Sequence, residues 1–152
     1  MASRLFQEVR EKAALAYSVE CDFVPFLQGG IFTVYVAMSP RSIRQGFEIL
    51  GRVLTEVGTK GVTEEELLKT KHQLRGMILL SSEQMEVRQE SLARNELILG
   101  RPVTIEETIE KILAVTPKEI GELAKELFVP EKESVLVVAR SKPKLGKLSV
   151  FQ

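Results

Sequence analysis

The chain has 152 residues and no net charge, because 21 lysine and arginine residues balance 21 aspartate and glutamate residues. A balanced charge creates no net field to attract nucleic acid or an anionic membrane, so we expect neither as a partner. Apolar residues make up 44% of the chain, which is typical of a globular domain. No apolar stretch is long enough to cross a bilayer and no signal peptide opens the chain, so we expect a cytoplasmic location.

The first part of the chain predicts a helix followed by a β-hairpin. Ser3 is a suitable N-cap, and Leu5, Phe6 and Val9 share one face of the helix that it would begin. Alternating residues at 16–23 and β-branched residues at 31–37 predict two strands, with proline and glycine residues in the loop between them. An antiparallel hairpin is therefore expected.

The next helix is predicted from its start signal and its apolar spacing. Ser39 would cap the helix with its side chain, and Pro40 suits the first helical position. Apolar residues then recur at alternating spacings of four and three: Ile43, Phe47, Leu50, Leu54 and Val57. Gly58 and Gly61 are expected to end the helix.

Three capping boxes divide the rest of the chain into helices. They are Thr63–Glu66, Thr104–Glu107 and Thr116–Glu119. The first box opens one very long helix, or two in series with a bend at Ser81–Ser82, that reaches Leu99. The other two open short helices with apolar faces formed by Ile105, Ile109, Ile112 and Leu113, and by Ile120, Leu123, Ala124 and Leu127.

The order of these elements predicts an α+β fold, in which a small antiparallel sheet is packed on one side by several helices. Residues 135–139 predict a closing strand, and 142–152 a basic, loosely held tail. We therefore expect one domain over residues 1–141, followed by the tail. A sheet of three strands leaves unpaired amides and carbonyls at its edges, which suggests that a strand is missing from the front.

Several segments, in their order and spacing, resemble the second, non-catalytic domain of the insulinase, pitrilysin and mitochondrial-processing-peptidase family of zinc metallopeptidases. These segments are SRLFQEVREK and LAYS near the start, GVTEEEL at 61–67, LGRPVT at 99–104 and ILAVTPKEI at 112–120. The resemblance extends from residue 3 to about 139. It implies a metallohydrolase-like half of the processing-peptidase fold.

The sequence departs from the family pattern near its start. The family usually has a glycine before Leu-Ala-Tyr, whereas this chain has Ala13–Ala14, so we expect a different turn from helix to strand. The family's domain also begins with a strand and a glycine-rich turn, whereas this sequence starts at Met1–Ala2. The resemblance therefore implies a truncated domain, an unusual start site, or a strand supplied by another chain.

A third departure concerns zinc. The catalytic half of the family carries H-x-x-E-H, in which two histidines and a distal glutamate bind zinc while the internal glutamate activates water. This chain has one histidine, His72, and neither Leu68 nor Gly76, one helical turn away, can be a ligand. We therefore expect no catalytic residue, metal ligand or cofactor in this chain, and zinc only in a catalytic partner.

The resemblance assigns substrate contact to Arg10 and Tyr17. They match an arginine and a tyrosine, seven residues apart, that in active family members contact the substrate backbone and the developing oxyanion. A guanidinium and a phenol suit this role because both donate hydrogen bonds to a carbonyl oxygen. The residues alone also allow a simpler interpretation, in which Arg10 pairs with Glu8 or Glu11 and Tyr17 packs on its strand.

The resemblance thus implies the non-catalytic half or subunit of an inverted-zincin-type zinc peptidase, which closes the chamber and does not cleave peptides alone. Its partners would be a catalytic subunit and, through it, a peptide substrate, in a homo- or hetero-oligomer. Two alternatives stay open. One is a degenerate, non-enzymatic scaffold or self-associating domain, and the other is a truncated fragment of a longer peptidase.

Overall fold

The computed structural model describes residues 3–140 and 149–151. The predicted α+β class is confirmed for these residues. None of their helices is both long and apolar enough to cross a membrane. The elements are a first helix, Phe6–Lys12; strands β1, Ala16–Phe26, and β2, Gly29–Met38; and helices α1, Ile43–Lys60, α2, Glu64–Ser81, α3, Met85–Leu99, α4, Ile105–Ala114, and α5, Pro117–Leu127.

The chain divides into two units. The first unit contains residues 3–60, 121–140 and 149–151, and the second contains residues 61–120. The core of the first unit lies where the first helix, β1 and α1 meet. Its buried side chains are Leu5, Val9, Ala16, Val19, Leu50, Val53 and Leu54.

The first helix is wound as a π-helix. The Ala13 amide donates to the Glu8 carbonyl, five residues back, at 3.1 Å. The side-chain oxygen of Ser3 accepts from the Phe6 amide at 3.2 Å, as its predicted capping role requires. Leu5 and Val9, four residues apart, both reach the core because a π-helix has more than four residues per turn.

The hairpin is longer than the sequence pattern predicts. The strands pair without interruption from Ser18 opposite Ala37 to Phe26 opposite Gly29, which leaves a two-residue turn. Pro25 lies inside the paired region, opposite a glycine. Proline in a strand is tolerated at a sheet edge, so a residue that signals a loop in the sequence is here part of β1.

The predicted strand at 135–139 is wrong, because this segment is irregular in the structure. Val135 and Val137 are nonetheless less exposed than Leu136 and Val138, as an alternating strand pattern requires. A strand also needs a neighbour for its backbone hydrogen bonds. Within residues 3–140, the sheet consists of β1 and β2 alone.

Helix α1 has most of its predicted apolar face, but it begins differently from the prediction, and only Gly61 of the two predicted glycines ends it. Ile43, Leu50 and Leu54 are buried, while Phe47 and Val57 are half-buried. The Ser39 hydroxyl makes no capping bond; the Ser39 carbonyl instead accepts from the Ser42 amide at 2.9 Å in a short 3₁₀ turn. Gly58 does not end the helix, which continues to Lys60 before Gly61 adopts a φ of +72°.

Gly58 is instead a contact residue. It is buried, and a Cβ built there would lie 3.8 Å from the backbone of Ala124 in α5. Ala124 is also buried, whereas Leu123, predicted on the same face of α5, is exposed. The two helices therefore meet through small residues.

The predicted loosely held tail falls partly on residues 141–148, which lie outside the described residues. Its end is not loosely held. The Glu133 carboxylate accepts from the Val150 amide at 2.5 Å and from the Ser149 hydroxyl at 2.6 Å. Phe151 stacks on Phe128 with ring centroids 5.9 Å apart, so these residues belong to the packing of the first unit.

The second unit confirms two helices in series, because α2 ends at Ser81 and α3 begins at Met85. The Thr63–Glu66 capping box is complete: the Glu66 amide donates to the Thr63 hydroxyl at 3.2 Å, and the Thr63 amide donates to the Glu66 carboxylate at 2.8 Å. The Thr116–Glu119 box is complete in the same way.

The Thr104–Glu107 box is only half formed. The Thr104 hydroxyl accepts from the Glu107 amide at 3.1 Å, but the Glu107 carboxylate binds Arg101 at 2.6 and 2.8 Å and Lys111 at 2.8 Å. These cations, Arg101 first, lower the pKa of Glu107 to about 2. The contact with Arg101 is bidentate and joins two charged groups, so it is stronger than a bond to a backbone amide, in which only the carboxylate is charged; this explains the change of partner.

The contact between residues 149–151 and α1 can be tested at Gly51. A Cβ there would collide with the Val150 carbonyl, so Gly51→Ala should lower the free energy of unfolding by about 1–3 kcal/mol. Gly76→Ala is the matched control, because Gly76 lies in α2 with nothing within 4 Å of its Cβ position. It should raise stability by about 0.5–1 kcal/mol. Equal effects of the two substitutions in urea unfolding would contradict the Gly51 contact.

Candidate functional site

Arg10 and Tyr17 each follow a buried anchor in the first unit. Val9 is completely buried and Ala16 is 9% exposed, whereas Arg10 is exposed and Tyr17 is 81% exposed. The core therefore fixes the backbone next to both residues and leaves their side chains at the surface. The predicted alternative in which Tyr17 packs on its strand does not hold.

Tyr17 is the extra residue of a β-bulge. Ala16 pairs with Met38 and Ser18 pairs with Ala37, so two steps along β1 match one step along β2. A bulge leaves its extra residue outside the ladder and redirects the side chain, which is why bulges are common beside active sites. The high exposure of Tyr17 follows from this irregularity.

Arg10 is held by an aromatic ring rather than by a carboxylate. Its guanidinium carbon lies 5.0 Å from the centroid of the Phe6 ring, a cation–π contact worth about 0.5–1 kcal/mol at an exposed site. The predicted alternative pairing with Glu8 is absent, because Glu8 accepts from Lys12 at 2.5 Å and from Arg52 at 2.9 Å. These two cations, Lys12 first, lower the pKa of Glu8.

Phe6 is therefore a residue of the site, although its position in the sequence predicts only an apolar face. The available signal was its spacing of four residues from Arg10, which brings two side chains onto one side of a helix. An aromatic ring at this spacing orients the guanidinium without occupying its hydrogen-bond donors. Within the described residues, no carboxylate is paired with Arg10.

Ala14 connects the two candidate residues in a left-handed backbone conformation. Its φ is +50°, and it is the one non-glycine residue with positive φ in the described chain. The Leu15 amide donates to the Val9 carbonyl at 3.0 Å and closes the end of the helix. The turn thus keeps a conformation that glycine favours, although the sequence has alanine there.

His72 lies exposed in α2, with Leu68 and Gly76 one turn away on either side. These neighbours have no ligating atoms in their side chains. No cluster of three or more histidine, cysteine, aspartate or glutamate residues suited to a metal occurs in residues 3–140 and 149–151. The residues around His72 do not fit the three-ligand zinc site of a peptidase.

Comparisons with known proteins agree on one family. A family model described as the peptidase M16 inactive domain matches residues 1–74. An uncharacterized zinc protease of Bacillus subtilis is 33% identical over 137 residues, which make up 90% of this chain and 34% of the relative. The chain belongs to the peptidase M16 inactive-domain family, the non-catalytic domain of a family of zinc metallopeptidases.

Solved structures lead to the same fold. A conserved protein from Enterococcus faecalis is 31% identical with a TM-score of 0.70, over 81% of this chain and 28% of the other. The peptidase M16 inactive domain from Pseudomonas fluorescens has a TM-score of 0.69 at 22% identity, over 82% of this chain and 29% of the other. The chain thus spans about a third of the length of the relatives that it matches.

The left-handed turn at Ala14 can be tested with glycine. Ala14→Gly should raise the free energy of unfolding by about 0.5–1 kcal/mol, because relief of the left-handed strain exceeds the entropy cost of glycine. Ala13→Gly is the matched control: Ala13 has an ordinary φ of −86°, so the same change there should lower stability by about 0.5–1 kcal/mol. Loss of stability in both variants, measured by chemical denaturation, would contradict the strained turn.

Proposed function

We propose that this chain is the non-catalytic half of a larger zinc peptidase, in which it closes the chamber over a partner's zinc site and contacts the substrate backbone through Arg10 and Tyr17. The observation that carries the proposal is the exposed Tyr17 on the bulge, seven residues after Arg10 in an M16 inactive domain. The chain contributes hydrogen-bond donors to the reaction and leaves the chemistry at zinc to its partner.

The surroundings of Tyr17 support this role. A phenol that stabilises a developing oxyanion must be exposed to the substrate and fixed in position. Ala16 anchors the backbone on one side of Tyr17, and the ladder that begins at Ser18 fixes it on the other. Tyr17 therefore combines an exposed side chain with a constrained backbone.

The contacts of Arg10 support a second donor. An arginine in a salt bridge would have to break it before it could bind a substrate carbonyl. The Arg10 guanidinium instead lies over the Phe6 ring, a contact that holds the side chain without a carboxylate partner. The site is thus partly preorganised, which lowers the cost of binding the substrate.

The proposal requires a partner polypeptide or domain that carries the H-x-x-E-H zinc site, since this chain contains a single histidine. The relatives named as zinc proteases are about three times as long as the region matched by this chain, which leaves room in them for further domains. By analogy, we expect this chain to act inside a larger assembly, with a peptide as the substrate.

The role of Tyr17 can be tested by reconstitution. Mixed with a zinc-bearing H-x-x-E-H partner, the wild-type chain should restore cleavage of a fluorogenic peptide, whereas either component alone should be inactive. Tyr17→Phe should lower kcat by about 100-fold with little change in KM, because the lost hydrogen bond forms chiefly in the transition state. Tyr35→Phe should leave kcat unchanged, since Tyr35 is an exposed tyrosine on β2 away from the bulge.

Arg10 has its own control in the same assay. Arg10→Gln should raise KM or lower kcat by at least about tenfold, whereas Arg44→Gln, an exposed arginine on α1, should behave like the wild type. Rates for Tyr17→Phe and Arg10→Gln that match those of their controls would remove both residues from the mechanism.

A further inference from the structure

Phe6 is a half-buried residue of the first helix, four residues before the exposed Arg10. Two neighbours fix its backbone. Leu5, the residue before it, is buried in the core with 5% of its surface exposed, and the Phe6 amide donates to the Ser3 hydroxyl at 3.2 Å. The position from which the ring projects is therefore set by the packing and the capping of the helix, not by Arg10.

The Phe6 ring contacts the charged group of Arg10. The guanidinium carbon lies over the ring, 5.0 Å from its centroid, which is within the range of about 6 Å for a cation–π contact. In residues 3–140 and 149–151, no carboxylate pairs with this guanidinium. Among the contacts of the described chain, the ring is the one that acts on the charge of Arg10.

An aromatic neighbour restricts an arginine at a different cost from an acidic one. A long exposed side chain samples many rotamers, and a substrate that binds it must offset the loss of this freedom. A ring that already favours some of these rotamers lowers that cost. A carboxylate would also restrict the arginine, but its charge-assisted hydrogen bonds would have to break before a carbonyl oxygen could bind. The ring requires no such exchange.

We propose that Phe6 is a positioning residue, whose ring holds the Arg10 guanidinium where it can bind a substrate carbonyl. This inference rests on the proposed function, in which Arg10 contacts the substrate, and it adds a residue that acts only through Arg10. Phe6 should therefore affect catalysis only while Arg10 is present. A purely structural role would affect the site whether Arg10 is present or not.

Peptide cleavage by the chain reconstituted with a zinc-bearing H-x-x-E-H partner tests this coupling. Phe6→Leu should lower kcat/KM about two- to fivefold, the fold-change that corresponds to one cation–π contact at an exposed site. Phe6→Tyr should keep the wild-type value, because a phenol ring also attracts a cation. In an Arg10→Gln background, Phe6→Leu should cause no further loss. Equal losses from Phe6→Leu with and without Arg10 would overturn the proposal.

Phe47→Leu is the matched control, because Phe47 is also a half-buried phenylalanine on a helix of the first unit. The substitution removes the same atoms as Phe6→Leu and should lower the free energy of unfolding by a similar amount. It should leave kcat/KM at the wild-type value. A loss of activity in Phe47→Leu as large as that in Phe6→Leu would assign the effect to stability and contradict a positioning role.

NMR spectra of the free chain separate a failure of this inference from a failure of the proposed function. The ring current of Phe6 should shift the side-chain protons of Arg10 upfield of those of Arg44, an exposed arginine on α1. Phe6→Leu should abolish this shift, and Phe6→Tyr should retain it. Arg10 shifts that are the same in the wild type and in Phe6→Leu would overturn the positioning role. An upfield shift in a wild-type chain that restores no cleavage would instead contradict the proposed function.

Discussion

The packing of Val9 and Ala16 against α1 is the constraint on which the rest of the first unit depends. The first helix and β1 are joined by a turn of only three residues, and both are fixed because their buried residues share one core with Leu50, Val53 and Leu54. A fully buried valine or leucine contributes about 1.5–3 kcal/mol relative to exposure. This core can therefore hold the left-handed Ala14 and the bulge at Tyr17, each of which is locally unfavourable. The two irregularities lie within four residues of each other, where the candidate substrate-contact residues are displayed.

Local signals in the sequence predicted much of the fold because they act through neighbouring residues. Thr63–Glu66 and Thr116–Glu119 form complete capping boxes, and Ser81–Ser82 separates two helices as expected. Predictions failed where a partner outside the motif decides the outcome. Glu107 binds Arg101 and Lys111, Gly58 packs on α5, and residues 135–139 have no neighbouring strand within the described chain.

The candidate site also combines features that the sequence predicts with features that depend on tertiary contacts. Arg10 and Tyr17 match a family motif by their spacing along the chain, and such spacing can be recognised from the sequence without a structure. The bulge that exposes Tyr17 depends on how β1 pairs with β2, and one of the two cations that bind Glu8, Arg52, comes from α1. A pattern in a short window does not encode these two contacts, whereas the spacing of four residues between Phe6 and Arg10 does lie within such a window. Membership of the M16 inactive-domain family therefore identifies the fold, while the details of pairing support a role for these two side chains.

The central claim is that Arg10 and Tyr17 are presented to a substrate held at another polypeptide's zinc. The most direct measurement is a crystal structure of this chain with a zinc-bearing partner, in which the catalytic glutamate of the partner is replaced so that a peptide stays bound. The account predicts a distance of about 2.6–3.0 Å from the Tyr17 hydroxyl oxygen to a substrate carbonyl oxygen, with the Arg10 guanidinium bonded to the same peptide. A bound peptide with both side chains turned towards bulk solvent, beyond about 4 Å from any of its polar atoms, would contradict the claim.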